Sequence, residues 1–360
     1  MRSKIKSKIK YIINIGIILL FLFGLVIYMI KKDGIENIIN VTESINVKWA
    51  LVGIFCMVIY WVLETLVLYI ICKKISPKQK YVSSFRINMV GQLFNNITPF
   101  SSGGQPVQAY LLTKEGYSLS TGASILLFKF IIFQAVHVVY TFIVLIFKYE
   151  YFKSMIDKFA YFAIIGFLVN LFVIVMLILI GVNKKLAYSI FKSIYIFLSK
   201  IHIIKNVDAK LDSLKISIDN FNNQFKIIKK EKTVLFKAIV ITIIQLTVFF
   251  TVAYSVYRSL GFDNNMYINI LCAQAFLTMI MAFIPTPGAG GVAEGGFYVI
   301  FSHYFTSNTI SMATFLWRFY TFYLPIIVGM FFVFKVKKKD NIQSGELVEK
   351  SENNRSETYE

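Results

Sequence analysis

The sequence predicts an all-α polytopic membrane protein with about seven full transmembrane helices plus broken, re-entrant helices. Three observations carry this. Of 360 residues, 57% are hydrophobic and 16% charged, and several apolar runs reach the roughly 20 residues that a spanning helix needs. Lys residues gather in loops beside those runs, the pattern of a chain oriented by the positive-inside rule. Finally, the stretch Ile284-Pro-Thr-Pro-Gly-Ala-Gly-Gly-Val-Ala-Glu294-Gly-Gly-Phe297 sets two prolines, five glycines and a carboxylate between apolar runs. Backbone at bilayer depth must satisfy its own hydrogen bonds, so a break survives there only under protein or around a water-filled cavity. Transporters place substrates at such breaks; a tight extramembrane turn between two spans is the alternative.

Arg2, Lys4, Lys6, Lys8 and Lys10 precede an apolar run from Tyr11 to Ile30 that ends at Lys31 and Lys32. The run is too long for a signal peptide, so it is expected to be an uncleaved first span with a cytoplasmic N-terminus. The second span, about Trp49 to Cys72, ends at Lys73, Lys74, Lys78 and Lys80 and contains Glu64. A carboxylate at that depth costs about 2.5 kcal/mol or more, so it should face protein or water.

Residues 85–99 are too short and too polar for a lipid-facing span. At helical spacing Asn88, Gln92, Asn95 and Asn96 share one face. That face either lines a polar path or bonds neighbouring helices together. Pro99-Phe-Ser-Ser-Gly-Gly-Gln-Pro106 stops the helix, and Val107 to Leu112 is expected to turn back. The third span, Thr121 to Phe147, contains Lys129 and His137, the latter read as a packed hydrogen-bonding residue. The fourth covers Phe159 to Val182, and the mixed charges of Lys148 to Lys158 between them suit the outside.

Residues 183–232 carry eleven Lys against four Asp or Glu, so the segment should be cytoplasmic. Leu211, Leu214, Ile218, Phe221, Phe225 and Ile228 form one apolar helical stripe. It is expected to lie on the anionic inner leaflet, with a short coiled-coil contact as the alternative. A fifth span runs from Thr233 to Tyr257, and the apolar segment Met266 to Ile284 leads into the break. A shorter helix, Val292 to Phe305, comes after it. The last span, Ile310 to Phe334, contains Arg318 and ends at a cytoplasmic Lys335, Lys337, Lys338 and Lys339. Residues 1–335 thus form one membrane domain, and 336–360, polar and of mixed charge, read as a disordered tail.

The net charge of +19 is explained by these flanking lysines and anionic lipid rather than by nucleic acid. Cys56, Cys72 and Cys272 lack metal-ligand spacing, and no Walker A sequence is present. No catalytic residue, metal or cofactor is therefore assigned.

Thr98-Pro99-Phe-Ser-Ser-Gly103-Gly104 and Thr286-Pro287-Gly-Ala-Gly290-Gly291 each set Gly-Gly close behind Thr-Pro. The topology above brings the two helices in from opposite sides, the pointer to an inverted repeat around a midplane site. Helix N-termini at both breaks would favour an anion. Gly103, Gly104, Gln105, Gly290, Gly291 and the Asn88–Asn96 face are thus candidate headgroup contacts. Glu64 and Glu294 supply negative charge there, Lys129 and Arg318 positive charge; the alternative is that either carboxylate simply pairs with a cation to hold helices together.

At Gly103-Gly-Gln-Pro-Val-Gln-Ala-Tyr-Leu-Leu112 and Pro285-Thr-Pro-Gly-Ala-Gly-Gly-Val-Ala-Glu294 the chain resembles the flippase-like membrane domain of lysylphosphatidylglycerol synthases, the multiple peptide resistance factor family. The likeness covers about residues 10–335. It implies a cell-membrane protein that moves aminoacylated phosphatidylglycerol, or a similar anionic phospholipid, to the outer leaflet, in the setting of resistance to cationic antimicrobial peptides. Many relatives carry Glu and Arg where this chain has Gln105 and Gln108, so charge-based roles at those two positions do not transfer. Larger members attach a soluble transferase domain that uses lysyl-tRNA. The longest polar segment here is shorter than an ordinary domain of about 100–150 residues. Phosphatidylglycerol lysyltransferase activity is thus the alternative, with transport of a small soluble metabolite a second. A separate synthase is an expected partner.

Overall fold

The computed structural model describes residues 34–155, 159–200, 207–282 and 284–333, with residues 23, 24, 27, 30 and 31. Most of the expected first span, Tyr11 to Ile30, and the polar tail lie outside the described residues. Every regular element among those described is helical. A short helix, α1 (Ile35–Glu43), precedes the long α2 (Val47–Ile75). Asn46 caps α2, its Oδ1 accepting from the amides of Lys48 and Trp49, and Lys73 and Lys74 complement the helix dipole at the other end.

Next come α3 (Tyr81–Asn96) and α4 (Gly104–Lys114), then α5 (Leu119–Met155) and α6 (Phe159–Val182). The basic segment folds as α7 (Lys184–Lys200) and α8 (Val207–Lys230), with α9 (Lys232–Ser259), α10 (Tyr267–Met281) and α11 (Val292–Phe301) after it. The last helix, α12 (Ile310–Val333), carries a π-turn at Phe319–Tyr323. Among the described residues, five helices are long and apolar enough to cross a membrane: α2, α5 from Leu119 to Ser154, α6 from Ile164, α9 and α12. The chain is an all-α polytopic membrane protein. Met266–Ile284, expected as a sixth apolar segment, forms a helix of only 15 residues, and α5 runs on to Met155 through the stretch expected to be an external loop.

The frame of the fold is the antiparallel pair α2 and α9. The amide of Asn46, at the start of α2, donates to the carbonyl of Ser259 at the end of α9, 2.8 Å. At the opposite end Lys74 meets Glu231 at 3.0 Å. Between these points a Cβ on Gly53 would press on Ser255 and the Tyr320 ring, so the glycine lets the helices approach closely. The Lys74–Glu231 bridge is 46% and 33% exposed, and exposed pairs contribute little. Lys74→Ala is expected to change unfolding free energy in detergent by less than about 1 kcal/mol.

Because α2 and α9 run antiparallel, the helices that leave their C-terminal ends enter the bundle from opposite sides. α3 leaves the C-terminal end of α2, reaches Pro99–Ser101 and returns as α4. α10 leaves the C-terminal end of α9, reaches Pro287–Ala289 and returns as α11. At 1.5 Å per residue, the 16 residues of α3 and 15 of α10 reach about 24 and 22 Å. Each falls short of a hydrocarbon core of about 30 Å. Together they match the roughly 43 Å of α2, and the Cα atoms of the two turns approach within 8 Å. Two helical hairpins therefore meet tip to tip.

The tips share one backbone. Thr98 and Thr286 are extended, a proline comes next in each, and the two residues after it are left-handed: Phe100 and Ser101 at φ 55° and 50°, Gly288 and Ala289 at 57° and 55°. The same two hydrogen bonds close both turns, Ser101 N to Thr98 O and Ser102 N to Pro99 O, then Ala289 N to Thr286 O and Gly290 N to Pro287 O.

The apolar stripe of α8 is covered by protein. Leu214, Ile218, Phe225 and Ile228 are buried, Phe225 seats its ring against Gly181 and Phe128, and α8 packs on α5. The stripe thus packs on the chain's own helices rather than presenting its apolar side chains to lipid, with the lysines outward. Lys184 bridges to Asp219 at 2.6 Å and holds that carboxyl below the usual range through its hydrogen bond.

Candidate functional site between the hairpin tips

A cavity of about 510 Å³ opens where the two turns meet, within the span of volumes typical of ligand sites. Ser101 and Ser102 of one tip and Gly288 and Ala289 of the other line it.

The first charged group sits on three helices. Lys129 on α5 donates to Glu64 Oε1 of α2 at 2.9 Å and to Asn88 Oδ1 of α3 at 3.0 Å. Glu64 Oε2 accepts from Asn88 Nδ2 at 3.0 Å and Gln92 Nε2 at 2.5 Å. Gln108 of α4 reaches Asn88 Oδ1 at 3.5 Å. Glu64 and Lys129 are each 12% exposed, so this ion pair is held in low dielectric and its carboxylate keeps two amide donors besides the cation.

The second charged group ties the other hairpin to the last helix. Arg318 Nε donates to Glu294 Oε1 at 2.6 Å and Nη2 to the Gly288 carbonyl at 2.9 Å, while Glu294 Oε2 accepts the amide of Gly291 at 2.7 Å. The Arg318 guanidinium lies 4.5 Å from the Phe322 ring centroid, cation on π-face. Arg318 is 2% exposed and begins the π-turn, a helix irregularity common at functional sites. The two cations also correspond: Lys129 lies 30 positions beyond Pro99 (129 − 99) and Arg318 lies 31 beyond Pro287 (318 − 287).

Glu64, Gln92, Asn95, Asn96, Gln105, Lys129 and Arg318 all line the cavity. Asn88 lies behind them, fully buried, and Glu294 stands behind Arg318. The Asn88–Asn96 face does both things its spacing allowed: Asn88 and Gln92 bond α2, and Gln92, Asn95 and Asn96 face the hollow. The glycine amides expected to face an anion have acceptors within the chain. Gly103 N donates to Thr98 Oγ1 (2.8 Å), Gly104 N to Asn95 Oδ1 (2.9 Å), Gly290 N to Pro287 O (3.0 Å) and Gly291 N to Glu294. These bonds stiffen the tips, and the cationic side chains are what the cavity presents to an anion. The lining also carries polar residues that sequence reasoning passed over or read as packing: Gln134 and His137 of α5, Gln245 of α9, Gln274 and Thr278 of α10. Their signal was a lone amide or imidazole inside an apolar run. Among the described residues no group of three His, Cys, Asp or Glu could hold a metal.

Two opposed helical hairpins, meeting tip to tip over a charged hollow, define an all-α polytopic membrane protein. The family described as the lysylphosphatidylglycerol synthase TM region matches residues 11–329, and the chain belongs to it. It is also similar to a UPF0104 membrane protein of Archaeoglobus fulgidus, 21% identical over 303 residues that cover 81% of this chain and 87% of the relative. A UPF0104 membrane protein of Methanocaldococcus jannaschii is 24% identical over 346 residues, 91% and 97% of the two chains.

Proposed function

We propose that the protein passes an anionic phospholipid of the phosphatidylglycerol type between membrane leaflets, through the cavity between the hairpin tips. The observation that carries this is the pairing of each cation with a carboxylate that has other donors. Glu64 is also bonded by Asn88 and Gln92, and Glu294 by the Gly291 amide. When a phosphate arrives, Lys129 can turn to it without leaving Glu64 bare, which would otherwise cost several kcal/mol; Arg318, whose partner Glu294 has one other donor, meets the phosphate while keeping its pair. The opposed hairpins give the headgroup an approach from either face, as alternating access requires. The lysine-rich ends of α2 and of the 183–232 segment are assigned to the cytoplasm.

The test is the leaflet distribution of acyl-labelled phosphatidylglycerol in vesicles containing the purified protein. Wild type should speed exchange above protein-free vesicles, and Lys129→Met should slow it. One charge-assisted hydrogen bond of about 1.5–3 kcal/mol corresponds to roughly 10- to 150-fold. Equal rates in wild-type and protein-free vesicles would reject the proposal. Lysylated lipid formed by the purified chain from lysyl-tRNA and phosphatidylglycerol would establish the transferase alternative instead.

A further inference from the structure

The cavity has a second wall of different chemistry. Lining the same cavity are Gln134, His137, Gln245 and Gln274, drawn from α5, α9 and α10 and none more than 6% exposed. None bears a carboxylate, ammonium or guanidinium. Some of their capacity is used inside the chain: Gln134 Nε2 donates to Asn170 Oδ1 at 3.3 Å, and Gln274 Nε2 to Thr278 Oγ1 at 3.2 Å. Among the described residues, three buried atoms here have no well-formed hydrogen bond, namely Gln245 Nε2, Gln274 Oε1 and His137 Nε2, although the Gln245 side chain lies beside the Tyr60 hydroxyl and the His137 ring beside the Ala275 backbone. Buried polar atoms in folded chains are nearly always hydrogen-bonded, so three together in one cavity wall ask for a ligand.

Their types say which ligand. Gln245 Nε2 is a donor and needs an acceptor; Gln274 Oε1 is an acceptor and needs a donor; the imidazole nitrogen can be either. An ammonium offers only donors and a carboxylate or phosphate only acceptors, so neither satisfies the wall. A hydroxyl both donates and accepts. We infer that this wall is a subsite for a neutral, hydroxyl-bearing group, a glycerol, inositol or sugar, esterified to the phosphate that Lys129 and Arg318 receive. The inference rests on the lipid-passage proposal and narrows it: the preferred headgroup is a neutral polyol phosphate rather than an amine-bearing one.

The experiment compares acyl-labelled phosphatidylinositol, phosphatidylglycerol, phosphatidylethanolamine and phosphatidic acid in vesicles carrying wild type, Gln274→Leu or Gln245→Leu. Wild type should move the two polyol lipids at least about tenfold faster than phosphatidic acid or phosphatidylethanolamine, the worth of one or two hydrogen bonds. Each variant should bring that ratio down toward one. Both substitutions are close in volume, and detergent melting curves matching wild type certify the folded variant; Gln274→Met stands in should Gln274→Leu melt early. Equal movement of phosphatidic acid and phosphatidylinositol by wild type overturns the subsite alone. So does an equal slowing of all four lipids by the variants, which marks a structural role. Movement of no lipid overturns the proposal beneath it and the subsite with it. A final arm offers radiolabelled glycerol 3-phosphate and inositol phosphate. Failure of either to enter the vesicles supports a lipid as the source of the polyol, and uptake would assign the wall to a soluble phosphate ester.

Discussion

Arg318→Met is expected to destabilise the protein by about 3–5 kcal/mol, because removing one partner of a buried pair strands the other. The guanidinium is 2% exposed and Glu294 15%. Its loss frees a carboxylate that would keep only the Gly291 amide, and it also releases the Gly288 carbonyl at the hairpin tip. The double variant Arg318→Met with Glu294→Gln should cost clearly less than the single one, since the stranded charge is gone. Unfolding in mixed detergent micelles measures both. Arg318→Met as stable as wild type would show that the pair does not hold the tip. Lipid exchange, scored on the double variant to separate binding from folding, should remain slow.

Gly288→Val is the second large effect. Gly288 sits at φ 57°, and a Cβ there would overlap the ring of Phe322, itself 2% exposed. A β-branched residue is a steric outlier in that region. Strain of about 1–3 kcal/mol and overpacking of about 1–3 kcal/mol add to a loss of roughly 2–6 kcal/mol. The same turn in the first hairpin carries Phe100 at φ 55°, 59% exposed. There the side chain has room, so Phe100→Gly should shift thermal unfolding far less than Gly288→Val. Comparable losses at the two positions would mean that the tips are not packed as described.

Much of this was legible in the chain, for definite reasons. The break at 284–297 announces itself because prolines and glycines are costly inside apolar helices. Glu64, Lys129, Glu294 and Arg318 stand out because charge inside a span has to be covered. Which carboxylate meets which cation was not legible: pairs 65 and 24 residues apart in sequence form by three-dimensional packing. The covering of the α8 stripe was also hidden, since an apolar stripe looks the same whether lipid or Phe128 faces it. Met266–Ile284 is apolar enough for a span, and only its entry from the end of α9 and its stop before Pro287 make it a hairpin arm. The polyol wall escaped because its members are single polar residues on three helices, each ordinary by itself. The shared tip geometry was foreshadowed by the two Thr-Pro pairs, although the left-handed residues behind them differ completely in side chain.

The most direct measurement places cysteines at Ser101 and Ala289, one on each tip and both facing the cavity, in protein reconstituted into vesicles. With the native Cys56, Cys72 and Cys272 replaced by alanine, a short cleavable thiol crosslinker can join only the new pair. The crosslink is predicted to form readily, to stop lipid exchange, and to release it again when cleaved. Tips that cannot be joined, or joined tips that still pass lipid at the wild-type rate, would contradict a passage running between the two hairpins.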